Sequence, residues 1–162
     1  MPLWTGFFSK SGSPAIKVRI AGPLPGYDAI VDTGFTGFVS MPIVRAFPLG
    51  LILTGTTSVI LADGSTAPKL TALGTVTVDT ESKAGIILLA PASNEILLGM
   101  EFLKTFGKVL LVHQNKAICA LADEKDVDEI FASAAKAIGD RDVAAAAEPA
   151  KPPPESPANP VE

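Results

Sequence analysis

From the N-terminus to Leu121 the apolar residues come in short runs rich in Val, Ile, Leu and Thr, each cut off by Gly, Pro, Asn or Asp. Such punctuation belongs to a compact all-β domain, because these residues end a ladder or turn the chain. It predicts strands over Ala15–Ala21, Tyr27–Asp32, Phe38–Met41, Thr57–Ala62, Leu73–Asp79, Gly85–Ala90, Lys108–Val112 and Ala117–Leu121. The breakers between them are Gly22-Pro23-Leu24-Pro25-Gly26, Asp63-Gly64, Glu81-Ser82-Lys83 and His113-Gln114-Asn115-Lys116.

Two short helices interrupt the strands. Pro42–Phe47 opens on a proline, which suits a first helical turn, and Pro48 stops it. Gly99–Phe106 carries Met100, Leu103 and Phe106 at helical spacing and ends at Gly107. Beyond Leu121 the pattern changes. Val127, Ile130, Phe131, Ala134 and Ile138 form one stripe of an amphipathic helix, capped by Asp123 and ended by Gly139. An Ala run and a Pro-rich acidic tail follow, with six of the fourteen prolines. That tail buries too little apolar surface to offset its ordering entropy, so it reads as disordered. The expected organisation is a domain at 1–122, an amphipathic helix at 123–140 and a tail at 141–162.

A chain of 162 residues that is 48% hydrophobic supports one buried core. Its net charge of -4 and scattered basic residues argue against nucleic-acid binding, which needs clustered Lys and Arg. The apolar runs, such as Ile86 to Pro91, are too short for a membrane span, and residues 1–10 lack a signal-peptide layout. With the single Cys119 no internal disulfide forms, so a cytoplasmic setting is expected.

The chemistry centres on Ala29-Ile30-Val31-Asp32-Thr33-Gly34-Phe35-Thr36-Gly37. An apolar strand delivers one carboxylate to a glycine turn, and a carboxylate so placed must be exposed or held in a polar site. The tripeptide Asp-Thr-Gly is by itself a common turn. The longer pattern, apolar-apolar-Asp-Thr-Gly-aromatic-Thr-Gly, is more specific, and here the sequence resembles the retropepsin-like (clan AA) aspartic proteases, particularly small bacterial single-domain members. Asn94-Glu95-Ile96-Leu97-Leu98-Gly99 resembles that family's apolar-apolar-Gly element, in which Leu97, Leu98 and Gly99 support the active-site loop. Between the two, Val59–Gly74 with Asp63, Gly64 and Ser65 resembles the flap. The resemblance covers roughly residues 15 to 121.

It implies an all-β, retropepsin-like acid-protease half-barrel with one short helix, acting as an aspartic endopeptidase without metal or cofactor. Such enzymes activate water between two carboxylates that share a proton. This chain has one such motif, since Asp79-Thr80 lacks the glycine. The resemblance therefore implies a homodimer, with Asp32 catalytic, Thr33 bonding across the dimer, Gly34 and Thr36 in the loop that meets substrate backbone, and a peptide or protein substrate under the flap. Two departures bear on specificity: Phe35 is bulkier than the usual Ala or Ser and is expected to fill part of a substrate pocket, and Pro68 lies near the flap. The rival reading is a catalytically inactive dimerisation module of the same fold. His113 reads as a solvated hairpin residue and Cys119 as a small core side chain; Asp123, Glu124, Asp126, Asp128 and Glu129 read as helix N-terminal acids, not metal ligands.

Overall fold

Along β3 (Pro14–Ile20) Ile16, Val18 and Ile20 point inward while Lys17 and Arg19 face out, the alternation that a strand with one wet face requires. This computed structural model describes residues 3–22, 26–60, 64–130, 132, 133 and 136. The chain divides into two units, Met1–Val127 and Asp128–Glu162, and the fold set out here is that of the first.

The remaining strands are β1 (Trp4–Thr5), β2 (Phe7–Phe8), β4 (Gly26–Val31), β5 (Val39–Pro42), β6 (Ile52–Ile60), β7 (Thr66–Val78), β8 (Glu81–Ala90), β9 (Ile96–Leu98), β10 (Lys108–His113) and β11 (Ile118–Asp123). Eight of them form a sheet in the order β2-β3-β4-β9-β5-β8-β7-β6, and β3 also pairs with β7, which bends the sheet back on itself. A smaller sheet runs β1-β11-β10. The helices are α1 (Ile43–Ala46) and α2 (Met100–Phe106). The chain has the all-β fold expected for it.

The core is closed by an aromatic cluster under α2. Phe102, fully buried, lies 4.7 Å from Phe106 and 5.8 Å from Phe38, and Trp4 meets Phe106 edge-on at 5.2 Å. Ring pairs at these separations favour tilted and edge geometries. Phe38 also lies over Gly85, where any Cβ would collide with its ring. The ring that ends the Asp32 loop is thus anchored in the core.

Several elements differ from expectation. β6 starts at Ile52, not Thr57, because Gly55 does not break it: it sits at φ +134° in a bulge between Leu53 and its partners on β7. β7 starts at Thr66 rather than Leu73 and absorbs Pro68, which lies where β7 has β6 but not β8 beside it. Pro42 ends β5 and only Ile43–Ala46 is α-helical, with a 3-10 turn over Phe47–Leu49. Ala117, at φ +51°, belongs to the turn before β11.

The helix expected from Asp123 begins only at residue 128. Asp123 instead closes β11 and gives its carboxylate to Lys108, and the N–H of Glu124 donates to the carbonyl of Gly107. A 3-10 turn, Glu124–Asp126, follows. Phe131, Ala134 and Ile138 of the expected stripe, and the 141–162 tail, lie outside the described residues.

Lys108 was not singled out by sequence, yet its side chain is 0% exposed, 2.6 Å from Asp123, 3.4 Å from Glu81 and 4.3 Å over the Trp4 ring. Burial alone would lower its pKa, but the hydrogen bond to Asp123 and the charge of Glu81 outweigh that and raise it above the ordinary 10.5. A raised lysine contributes stability that is complete below the unfolded value and is lost as pH rises through the folded one. Alkaline unfolding above that range is therefore expected to be sensitive to this residue. Lys108→Ala should cost about 2 kcal/mol at neutral pH, below the usual loss for a buried pair because Asp123 and Glu81 are 30% and 37% exposed and can hydrate. Urea unfolding of both proteins at neutral and alkaline pH measures this; a difference that stayed the same at the highest pH would contradict it.

Candidate active site

The site begins where β4 runs out of partners. Ala29, Ile30 and Val31 pair in parallel with Ile96, Leu97 and Leu98 of β9, and β9 pairs on its other edge with Val39 and Ser40 of β5. The loop between β4 and β5 therefore leaves one side of β9 and returns on the other. Leu97 and Leu98 form the ladder beneath the loop, and the N–H of Asp32 donates to the carbonyl of Leu98 at 2.9 Å.

Within the loop the N–H of Gly34 donates to Oδ1 of Asp32 at 2.9 Å, and the N–H of Phe35 donates to the Asp32 carbonyl at 3.2 Å. A carboxylate that accepts a backbone N–H two residues on is a turn device, and it fixes the rotamer of Asp32. Gly34 sits so close to Oδ1 that an added Cβ would lie 3.2 Å from it. Asp32 is half-buried, whereas Thr33, Gly34 and Thr36 are exposed. The loop presents its polar tip outward.

Gly99 locks the other end. Its N–H donates to the Phe38 carbonyl, and the N–H groups of Met100 and Glu101 donate to the carbonyls of Phe35 and Thr36 at 2.8 and 3.2 Å. These amides open α2 and would otherwise lack partners. A Cβ on Gly99 would fall within 3.0 Å of the carbonyl oxygens of both Phe35 and Gly37. Only glycine fits.

Phe35 is placed differently from the expectation that it fills a substrate pocket. Its ring lies against Gly37 and Gly99, in space that a side chain at either position would need. It is a prop for the loop, which explains why a bulky residue is tolerated there.

Over the loop stands the β6–β7 hairpin. β7 and β8 pair only as far as Leu70 and Leu89, while β6 and β7 continue to Ile60 and Thr66. The last rungs form a two-stranded arm, a structure that is marginal in water without further support. Gly64, at φ +81°, and Ser65 lie in its exposed tip; Asp63 lies outside the described residues. Beneath the arm is a cleft of about 590 Å³, walled by Val59 and Ile60 of β6, by Ile86 and Leu88 of β8, and by Gly34 and Thr36 of the loop.

Glu101 also lines this cleft and was read in the sequence only as part of a helix. His113 is exposed and Cys119 is buried, as read, and burial pushes the Cys119 thiol up. Among the described residues no cluster of three or more His, Cys, Asp or Glu could hold a metal ion, and no helix is long and apolar enough to cross a membrane.

A bent β-sheet, an Asp-Thr-Gly loop laid across a central parallel strand, and a hairpin standing over it define the retropepsin-like fold. Comparison with solved structures agrees. The chain is similar to a retropepsin-like aspartic protease from Rickettsia conorii at 19% identity and a TM-score of 0.54, over 74% of this chain and 87% of that one. It is similar to the EIAV protease complexed with the inhibitor HBY-793 at 16% identity and a TM-score of 0.53, over 65% of this chain and 98% of that one. At these identities the likeness establishes the fold. No family model matches the chain, and no curated protein matches it in sequence.

Proposed function

We propose that this chain is one half of an aspartic endopeptidase, completed by a second copy that brings its own Asp32 across a two-fold axis. The observation that carries the reading is the Asp32 loop. One carboxylate is held at the end of β4 by the hydrogen bond from Gly34, beside a cleft roofed by a hairpin, and Thr33 and Gly34 remain exposed on the surface of the single chain.

A lone carboxylate at neutral pH is ionised and gives no acid to polarise a carbonyl. Two carboxylates at hydrogen-bonding distance cannot both ionise, so the pair keeps one proton. The charged member takes a proton from water as the oxygen attacks the scissile carbon, and the protonated member donates to the carbonyl oxygen. The tetrahedral intermediate then collapses, with the proton delivered to the leaving amine. Water is the nucleophile, so no covalent intermediate forms.

In this reading Thr33 ties the two loops together, the Gly34 carbonyl meets the substrate backbone, and Gly64 and Ser65 close over an extended peptide held by strand-like bonds. The support for flap motion is the two-stranded arm beyond Leu70.

Dilution tests the dimer. Cleavage of an unstructured peptide, inhibited by a statine-type transition-state mimic, is expected to fall more steeply than linearly with chain concentration below the dimer dissociation constant. Activity strictly proportional to concentration, alongside a monomeric sedimentation coefficient, would rule out the two-chain site. Dimerisation with no cleavage under any condition would favour an inactive module of the same fold.

A further inference from the structure

We infer that Glu101 selects a basic side chain in the peptide substrate, an inference that rests on the peptidase reading above. Of the described residues lining the cleft, Glu101 alone is ionisable; the walls are otherwise aliphatic side chains, Phe38, hydroxyls and glycine backbone. Its main chain is pinned to the catalytic loop, since its N–H donates to the Thr36 carbonyl at 3.2 Å. The residue is exposed, and among the described residues its carboxylate takes part in none of the ion pairs, which join Lys17 to Asp28 and Lys108 to Glu81 and Asp123.

An extended peptide between the loop and β6 turns successive side chains to opposite sides. Those facing Val59, Ile60, Ile86 and Leu88 meet apolar surface, and one facing Glu101 meets a carboxylate that forms no ion pair among the described residues. A Lys or Arg there lays its aliphatic stem along the apolar wall and its cation against the carboxylate, while Asp or Glu is repelled. An acid in the first turn of α2 also complements the helix end, but that effect acts on stability and is blind to substrate sequence.

The test compares kcat/KM for peptide pairs differing only by Lys or Gln, with the substitution moved through each position around the cleaved bond. Wild type is expected to prefer Lys about five-fold at one position, and the preference should shrink as salt is added. Glu101→Gln should bring that ratio to about one while cleavage of the Gln peptide persists, and Glu101→Lys should turn the preference toward a Glu peptide. A ratio unchanged by Glu101→Gln at every position would overturn the assignment and leave the peptidase reading intact. Failure of wild type to cleave any peptide would remove both.

Discussion

Asp32→Asn is expected to abolish peptide hydrolysis, with a loss in kcat of at least about a thousand-fold and no loss of fold or dimer. The amide keeps the size of the carboxylate and can still accept the Gly34 N–H, so the loop has no reason to move. In the proposed mechanism, what it removes is the negative charge that takes a proton from water. The sharper form of the experiment mixes chains. At fixed total concentration, replacing half of the wild-type chains with Asp32→Asn leaves wild-type pairs as about a quarter of all dimers if partners exchange freely. Activity then falls to about a quarter; were each chain self-sufficient, it would fall only to about half. Titration of the variant into wild type, read by initial rates, separates the two outcomes. Undiminished activity in pure Asp32→Asn would eliminate the mechanism altogether.

Gly99→Val should have the largest structural effect of any single change at the site. A side chain there meets two backbone carbonyls, those of Phe35 and Gly37, and the Phe35 ring. Flexible side chains can yield, but these carbonyls belong to the segment that holds Asp32 in place. We expect a loss of about 3 kcal/mol in urea unfolding, the upper range for overpacking, and loss of activity even where the fold survives. Gly99→Ala is the informative companion: at a temperature where it stays folded, it should still be impaired in kcat because the loop is displaced. Full activity in Gly99→Ala would show that the contact between α2 and the loop does not govern catalysis.

The parts of this molecule that were legible in the sequence are those written locally. The loop at 29–37, the apolar pair Leu97-Leu98 before Gly99, and α2 between Gly99 and Gly107 each carry their own turn or cap residues, and the structure puts them in contact. What escaped depends on distant partners. β1 and β2 are two residues each and exist through pairing with β11 and β3, so no periodicity marks them. β6 has exposed side chains for most of its length and is a strand because β7 lies beside it. Lys108 pairs with residues 27 and 15 positions away, so nothing in its own stretch of sequence marks it as buried. Glu101 shows the same limit at the site: an acid at the start of a helix is a commonplace, and only the topology sets it beside the cleft. The acids after Leu121 misled in the opposite sense, since Asp123 satisfied every local criterion for a cap while its carboxylate was committed to the sheet.

The parallel pairing of β4 with β9 has a consequence for how the protein comes to exist during synthesis. The amide of Asp32 and the carbonyls of Phe35 and Thr36 find their partners on residues 98 to 101, some two-fifths of the polypeptide downstream. Contacts spanning such a distance form late, after the entropy of closing the intervening segment has been overcome. A nascent chain still attached to the ribosome thus carries its acidic loop unbraced until residues 98 to 101 have been made. On the two-chain peptidase reading, order of translation delays the geometry around Asp32 until the residues that brace it have been made.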